Sequence, residues 1–159
     1  PYIIQKSIVV DKNDNFITLS NKLSDIGSKL ILEALSLFEK GQVQLTHQKE
    51  ELASYASKVN KKESKITWNE TAKKVVAKIN GLSPYPGVWF KHKGSRIKII
   101  SAEISDQKGK TGEVLTNDLV IGCDDRSIKI NFIQKEGKQP LSAKNFLMGY
   151  KISKGEKLS

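Results

Sequence analysis

Hydrophobic positions change their period twice along this chain. The opening stretch YIIQKSIVV places β-branched residues at Ile3, Ile4, Ile8, Val9 and Val10, which predicts a strand. DKNDN reads as a polar turn, and Thr18 as the cap of a helix. Leu19, Leu23, Ile26, Leu30, Ala34 and Leu37 then recur at steps of three and four, on one face of a helix that Gly41 ends. One strand and one helix cannot cover that stripe, because a helix's apolar face needs a sheet or another helix against it. Its cover is therefore missing or comes from another copy. Residues 42–65 lose periodicity and finish in a lysine cluster, Lys58, Lys61, Lys62 and Lys65, the pattern of a connector crossing a surface. Asn69 or Thr67 is positioned to cap a second helix through about Ile79, with Ala72, Val75, Val76 and Ile79 inward and Gly81 at its end.

Beyond Gly81 the period shifts to two. GVWFKH, RIKIISAEI, GEVL, LVIGC and SIKINFI are five short β-rich runs, separated by the turn signals KGS, DQKGKTG, TND and CDDRS. Five such runs predict a small Greek-key barrel of the OB type, with an SH3-like barrel equally compatible with the pattern. Ser142 is placed to cap a last short helix, SAKNFLMG, before a polar, lysine-containing tail. SPYPG, just ahead of the first barrel strand, reads as a rigid turn with Gly87 permitting the bend and Tyr85 as a plug between helix and barrel. Trp89 and Phe90 are adjacent in a strand, so at least one of them points into the core.

Charge sharpens this division. Of the net +10, residues 1–57 hold 6 Lys+Arg against 7 Asp+Glu, and residues 58–159 hold 21 against 10, so the whole excess belongs to the C-terminal part. Such asymmetry points to a polyanionic partner met by that part alone. No apolar run approaches the ~18 residues of a spanning helix, and the N-terminal stretch has neither a basic region nor a small-residue cleavage site, so neither a membrane protein nor a secretory signal is expected. A processed or truncated chain is the simpler reading. The single cysteine, Cys123, fits a buried strand residue and a reducing cytoplasm. His47 and His92 lie far apart and offer no zinc spacing. GKTGE at 109–113 lacks the spacing of a phosphate loop and reads as a hairpin turn, and Asp124 and Asp125 fall in a turn signal. Nothing in the residues argues for self-sufficient catalysis. Lys91, Lys93, Arg96, Lys98 and Lys129 instead offer a positive strand face, with Tyr85, Trp89 and Phe90 as aromatics able to stack on bases.

LSDIGSKLILEALSLFEKG at 23–41, HQKEELASYASK at 47–58, ITW at 66–68, INGLSPYPG at 79–87 and IQKEGKQPLSAKNFLMG at 133–149 occur in an order that resembles the C-terminal part of the methionyl-tRNA formyltransferase family. The likeness spans essentially the whole chain. Thr67 stands where the family has Asp before Trp68, Asn80 and Gly81 where it has Arg-Ala, and Thr111 where it has proline before Gly112.

The resemblance implies an α+β chain. Residues 1–41 would be an orphaned strand–helix unit closing a Rossmann-like formyltransferase domain, residues 42–65 a linker, and residues 66–159 a five- to six-stranded OB-like β-barrel with flanking helices that binds tRNA. The family's catalytic Asn, His and Asp would lie outside this stretch, leaving no catalytic, cofactor or metal residue here and an isolated chain unable to transfer a formyl group. The implied parent formylates the amino group of initiator methionyl-tRNA from 10-formyltetrahydrofolate in the cytoplasm of bacteria. Phosphate contacts are expected first from Lys58, Lys61, Lys62 and Lys65, then from Lys91, Lys93, Arg96 and Lys98. The alternative is the C-terminal module of a sugar-nucleotide formyltransferase or folate hydrolase, acting as a structural or assembly domain. Self-association through the uncovered helix of residues 19–38 is compatible with either.

Overall fold

The computed structural model describes residues 1–60 and 62–159. They form two compact units, Pro1–Lys58 and Val59–Ser159, so the division falls inside the expected 42–65 linker.

In the first unit, helix α1 runs over Phe16–Glu39. Asn15, not Thr18, is its N-cap. The Asn15 side chain accepts from the N–H groups of Ile17 (2.9 Å) and Thr18 (3.1 Å), and the Thr18 hydroxyl accepts in return from the Asn15 N–H (2.9 Å), a reciprocal capping box. Lys22 ties the preceding turn down through 2.7 Å ion pairs to Asp11 and Asp14. Leu19, Ile26, Leu30, Ala34 and Leu37 are half-buried as the periodicity predicts, while Leu23 is exposed, and no residue of α1 is fully buried. Ile31, Leu32, Leu35 and Phe38 also face outward, so the helix is apolar well beyond one stripe. The strand predicted at YIIQKSIVV does not form: Tyr2 makes one antiparallel bridge to Thr46, and residues 3–10 have no ladder. β-Branched residues favour a pleated surface that packs against neighbours, and without an adjacent edge their preference produces no strand. A short 3₁₀ turn at Glu50–Leu52 interrupts the otherwise irregular segment that follows.

The second unit is built on a curled antiparallel sheet. Its strands are β1 (Val88–His92), β2 (Ser95–Ser105), β3 (Val120–Gly122), β4 (Ser127–Lys135) and β5 (Leu141–Ser142), in the order β1-β2-β4-β3 with β5 on β4. Alternation puts Val88, Phe90, Ile97, Ile99, Ile128 and Ile130 inside, and it breaks within β4, where Phe132 is exposed and Ile133 is buried. The register of β2 against β4 slips on either side of Ser101, and such irregularities let a long strand bend. β4 accordingly pairs with β3 at its start and β5 at its end. GEVL contributes single bridges instead of a strand: Val114 to Ile121 and Glu113 to Lys157. It follows the GKTG turn, closed by the Glu113 N–H on the Lys110 carbonyl (3.0 Å), and no helix begins there.

The C-terminal residues are not a polar tail. Leu158 N–H donates to Gly112 O (2.8 Å), Val114 N–H to Glu156 O (2.9 Å), and Lys91 N–H to Ser159 O (3.0 Å), so this segment links the 112–114 bridge region to the outer edge of β1 and carries the barrel round. Ile152 and Leu158 are buried beneath it. The same β1 edge receives a second segment, because Trp89 N–H donates to Ser64 O (3.0 Å) and Ile66 N–H to Trp89 O (2.8 Å).

Helix α2 (Ala72–Leu82) lies on the sheet with Ala72, Val75 and Ile79 buried. Thr71 is its N-cap, beyond both predicted candidates Thr67 and Asn69, and Gly81 falls within its last turn. The Asp125 carboxylate, from the CDDRS turn, accepts from the Ala72 N–H at 2.7 Å. That bond holds the Asp125 carboxyl below the usual carboxylate range and places a negative charge at the helix's positive end. Helix α3 (Ala143–Gly149) is capped by Ser142 as predicted.

A polar cluster fastens the closing segment. His92 Nε2 lies 2.7 Å from Glu156 Oε2, its Nδ1 3.2 Å from the Tyr150 hydroxyl, and the Ser153 N–H donates to Glu156 Oε1 at 3.0 Å. His92 first, then the Ser153 N–H, holds the Glu156 carboxyl down to about 2 from 4.5. A carboxyl lowered on folding stabilises the fold fully above its unfolded value and loses that contribution as pH falls toward the folded one. The urea midpoint is therefore expected to drop between pH 4.5 and about 2. Glu156→Gln is expected to lower the midpoint at neutral pH and to flatten that acid limb, and an acid limb unchanged by the substitution would assign it to other carboxyls.

Candidate nucleic-acid interface

The loop joining β1 to β2 contains only Lys93 and Gly94, both at positive φ (47° and 75°), the dihedral pattern that matches a tight hairpin to strand twist. It sets the register Trp89 opposite Lys98 and Lys91 opposite Arg96. Since Phe90 and Ile97 fill the interior, Trp89, Lys91, Arg96 and Lys98 must project from the outer face. The β1 edge extends this pattern: Lys65 pairs with Trp89, and on the other side Lys98 pairs with Gln134. Lys65, Trp89, Lys98 and Gln134 thus form one row across four backbone segments, with Lys91 and Arg96 in the next row.

Arg96, Lys98 and Lys93 are each held by something other than an acid. The Arg96 guanidinium sits 4.2 Å from the centroid of the Trp89 ring. Lys98 Nζ lies 5.3 Å from the Tyr85 ring centroid and donates to Pro84 O at 3.3 Å. Lys93 Nζ donates to Lys151 O at 3.1 Å, and Lys91 is exposed directly opposite Arg96. Like charges in directly opposed positions destabilise a sheet unless an anion lies between or above them. Among the described residues, ion pairs in this unit are confined to His92–Glu156, Arg126 with Asp106 and Asp125, and Lys129–Glu103, so Lys91, Arg96 and Lys98 keep their positive field, while Lys93 lies within the field of Glu156. Lys129, paired at 3.9 Å, belongs to a mixed-charge surface instead.

The connector lysines separate. Lys65 joins the row just described. Lys62 is exposed in a turn that the Asn60 side chain organises by accepting from the N–H groups of Lys62 and Glu63. Lys58 ends the first unit, and Lys61 lies outside the described residues. Tyr85 is not a plug: it is 75% exposed and stands beside Lys98 at the rim. Its lone aromatic position between two prolines suggested packing, but the SPYPG turn carries it outward. Phe90 takes the core position against Trp68, their ring centroids 6.0 Å apart, and Trp89 faces out. A cleft of about 270 Å³ opens on this face, lined by Ser64, Pro86, Trp89, Arg96, Lys98, Gln134 and Glu136 among others. Sequence periodicity gave no reason to single out Ser64 or Gln134, because their roles arise from strand pairing across long separations. Burial pushes the Cys123 thiol up to about 11, which suits an inert core residue.

A family model described as the formyl transferase C-terminal domain matches residues 58–151. The chain belongs to that family. Among curated relatives, the methionyl-tRNA formyltransferase of Pelagibacter ubique is 40% identical over 153 residues, covering 96% of this chain and 49% of the relative. That of Bartonella bacilliformis is 39% identical, covering 96% of this chain and 51% of the relative. The chain thus spans about half the length of the curated relatives it matches. Among solved structures, a variant of HypX from Aquifex aeolicus aligns over 94% of this chain and 31% of its own, with a TM-score of 0.65 at 23% identity, a likeness of fold. HypX in complex with tetrahydrofolic acid aligns over 80% of this chain and 26% of its own, with a TM-score of 0.58 at 25% identity.

Gly87 sets the geometry of this formyl transferase C-terminal face. Its φ is +83°, and a Cβ there would run into the aliphatic stem of Lys98. Gly87→Ala is expected to cost about 1–2 kcal/mol of stability from the left-handed backbone and to displace Lys98 from Tyr85. Chemical denaturation checks the first effect, and tyrosine-ring chemical shifts the second.

Proposed function

We propose that this chain is the C-terminal portion of a methionyl-tRNA formyltransferase, and that the outer face of its β1–β2 hairpin binds initiator methionyl-tRNA. The observation that carries this reading is the set Lys65, Lys91, Arg96 and Lys98, without carboxylate ion pairs among the described residues and arrayed by strand register, with Arg96 and Lys98 against aromatic rings; Lys93, in the hairpin turn, adds charge that it shares with Glu156. Lys58, Lys61 and Lys62 would extend the footprint along the connector. A phosphate backbone fits cations spread over several strands, whereas a sugar nucleotide needs only a compact site, which favours tRNA over the sugar-nucleotide alternative. In this reading residues 1–41 complete a formyltransferase domain, 42–65 link it to the barrel, and 66–159 form the tRNA-binding domain. Formyl transfer from 10-formyltetrahydrofolate, in the cytoplasm, belongs to the parent enzyme, and no catalytic residue is assigned to this chain.

Electrostatic binding of this kind releases counterions, so affinity for initiator methionyl-tRNA is expected to fall steeply with salt. Lys91→Ala with Arg96→Ala should weaken binding and reduce the log–log salt slope by roughly 1 for each phosphate-contacting cation removed. Replacing Lys58, Lys61, Lys62 and Lys65 by alanine tests the connector in the same way, and an unchanged slope would remove those residues from the footprint. Binding without salt dependence would defeat the electrostatic reading.

The exposed Ile31, Leu32, Leu35 and Phe38 of α1 favour a second property, self-association of the isolated chain through that helix. Light scattering is expected to give a mass that rises with concentration, and Leu32→Glu with Leu35→Glu to abolish the rise. A concentration-independent monomer would count against it.

A further inference from the structure

Ser64 is 2% exposed, and its hydroxyl has no hydrogen-bond partner among the described residues. Buried polar groups are nearly always matched, so an unmatched one calls for a reason. Trp68 Nε1 is unmatched as well, but that ring packs against Phe90 in the core. Ser64 instead lines the surface cleft, fixed there because its carbonyl accepts from the Trp89 N–H.

The lining of this cleft has three chemistries. Pro86 and Trp89 give an apolar wall, and the Arg96 guanidinium, 4.2 Å from the Trp89 centroid, extends the wall with a cationic surface. Lys98 brings a second positive charge. Ser64, Gln134 and Glu136 supply directional polar groups: the Gln134 amide nitrogen already donates to Lys138 O (2.6 Å), leaving its carbonyl oxygen as an acceptor. A bare phosphate would use the cations, waste the aromatic wall and meet repulsion from Glu136. Paired bases in a duplex present neither a free face nor a free edge to such a site. At about 270 Å³ the cleft falls below the roughly 300–1,000 Å³ of sites that enclose a drug-sized ligand, a size suited to a single base.

We propose that this cleft takes one unpaired nucleotide of a bound RNA, its base stacked on the Trp89–Arg96 pair and its polar edge meeting Ser64, Gln134 and Glu136, while Lys98 faces its phosphate. Bases splayed out of a loop are recognised in this manner, by aromatic or guanidinium planes together with hydrogen bonds to the edge. The hydroxyl is covered in the unliganded chain, so entry of the base shifts part of the lining, and Arg96 and Lys98 are its flexible members. This inference rests on the RNA-binding reading above and adds to it a site that distinguishes unpaired from paired RNA.

The test uses the 159-residue chain and two fluorescein-labelled RNAs, a hairpin with an unpaired loop and a blunt duplex of the same stem sequence, with initiator methionyl-tRNA in parallel. The unaltered chain is expected to prefer the hairpin. Ser64→Ala is expected to weaken hairpin binding by about 3- to 10-fold, the worth of one hydrogen bond, to leave duplex binding unchanged, and to raise the melting temperature by removing an unmatched buried group. Gln134→Ala, at a half-buried surface position, should reproduce the selective loss and serves if Ser64→Ala folds poorly. Equal affinity for hairpin and duplex, or variants that lose nothing on the hairpin, would overturn the nucleotide site while leaving tRNA binding by the basic face intact. Failure of the unaltered chain to bind any of the three RNAs would overturn both readings together.

Discussion

The outer edge of β1 is the constraint on which this barrel depends. An unpaired strand edge leaves backbone donors and acceptors exposed and invites pairing with another chain. Here two segments from opposite ends of the second unit share that edge: Ser64–Ile66 pairs at Trp89, and Ser159 accepts from Lys91. The first pairing sets Lys65 beside Trp89 and brings Ser64 to the cleft. The second brings Glu156 within reach of His92. Backbone hydrogen bonding along one short strand therefore fixes both the closure of the barrel and the composition of its candidate binding face.

The electrostatic design of that face follows from what the cations touch. A carboxylate beside Arg96 or Lys98 would position it and also cancel its field. An aromatic ring or a backbone carbonyl positions the cation and leaves the charge in place. Trp89, Tyr85, Pro84 O and Lys151 O serve in this way, while the acids of the same unit pair with Arg126, Lys129 and His92 elsewhere. The surface is thus ordered and still strongly positive, the two properties that long-range attraction and oriented docking of a polyanion require.

Alternation of period two revealed β1, β2 and β4 because each has one face in the core and one in solvent, and α3 was visible through its Ser142 cap. The family likeness was carried by short ordered motifs spread over both units. What escaped the sequence depends on partners far along the chain. YIIQKSIVV has strand composition but no neighbouring edge, so its β-branched residues produce a single bridge at Tyr2. KISKGEKLS looks polar because only Ile152 and Leu158 turn inward, yet its backbone links the bridge region at Gly112–Val114 to β1. Tyr85 resembled a core aromatic, and only the path of the SPYPG turn puts it outside. The α2 cap moved to Thr71 because Asp125, more than fifty residues away, supplies the carboxylate that meets the first helical N–H.

Closure by residues 156–159 also imposes an order of events on synthesis. β1, β2 and β4 can pair as soon as residue 135 is available, but the partner of Lys91 is Ser159, far along the chain. Until that segment arrives, part of the β1 edge stays open and the Ile152 and Leu158 positions are unfilled. Contacts of such long sequence separation form slowly, since loop entropy is lost before the contact repays it. The open edge is therefore where a growing barrel of this kind is exposed to mispairing with neighbours before residues 156–159 dock.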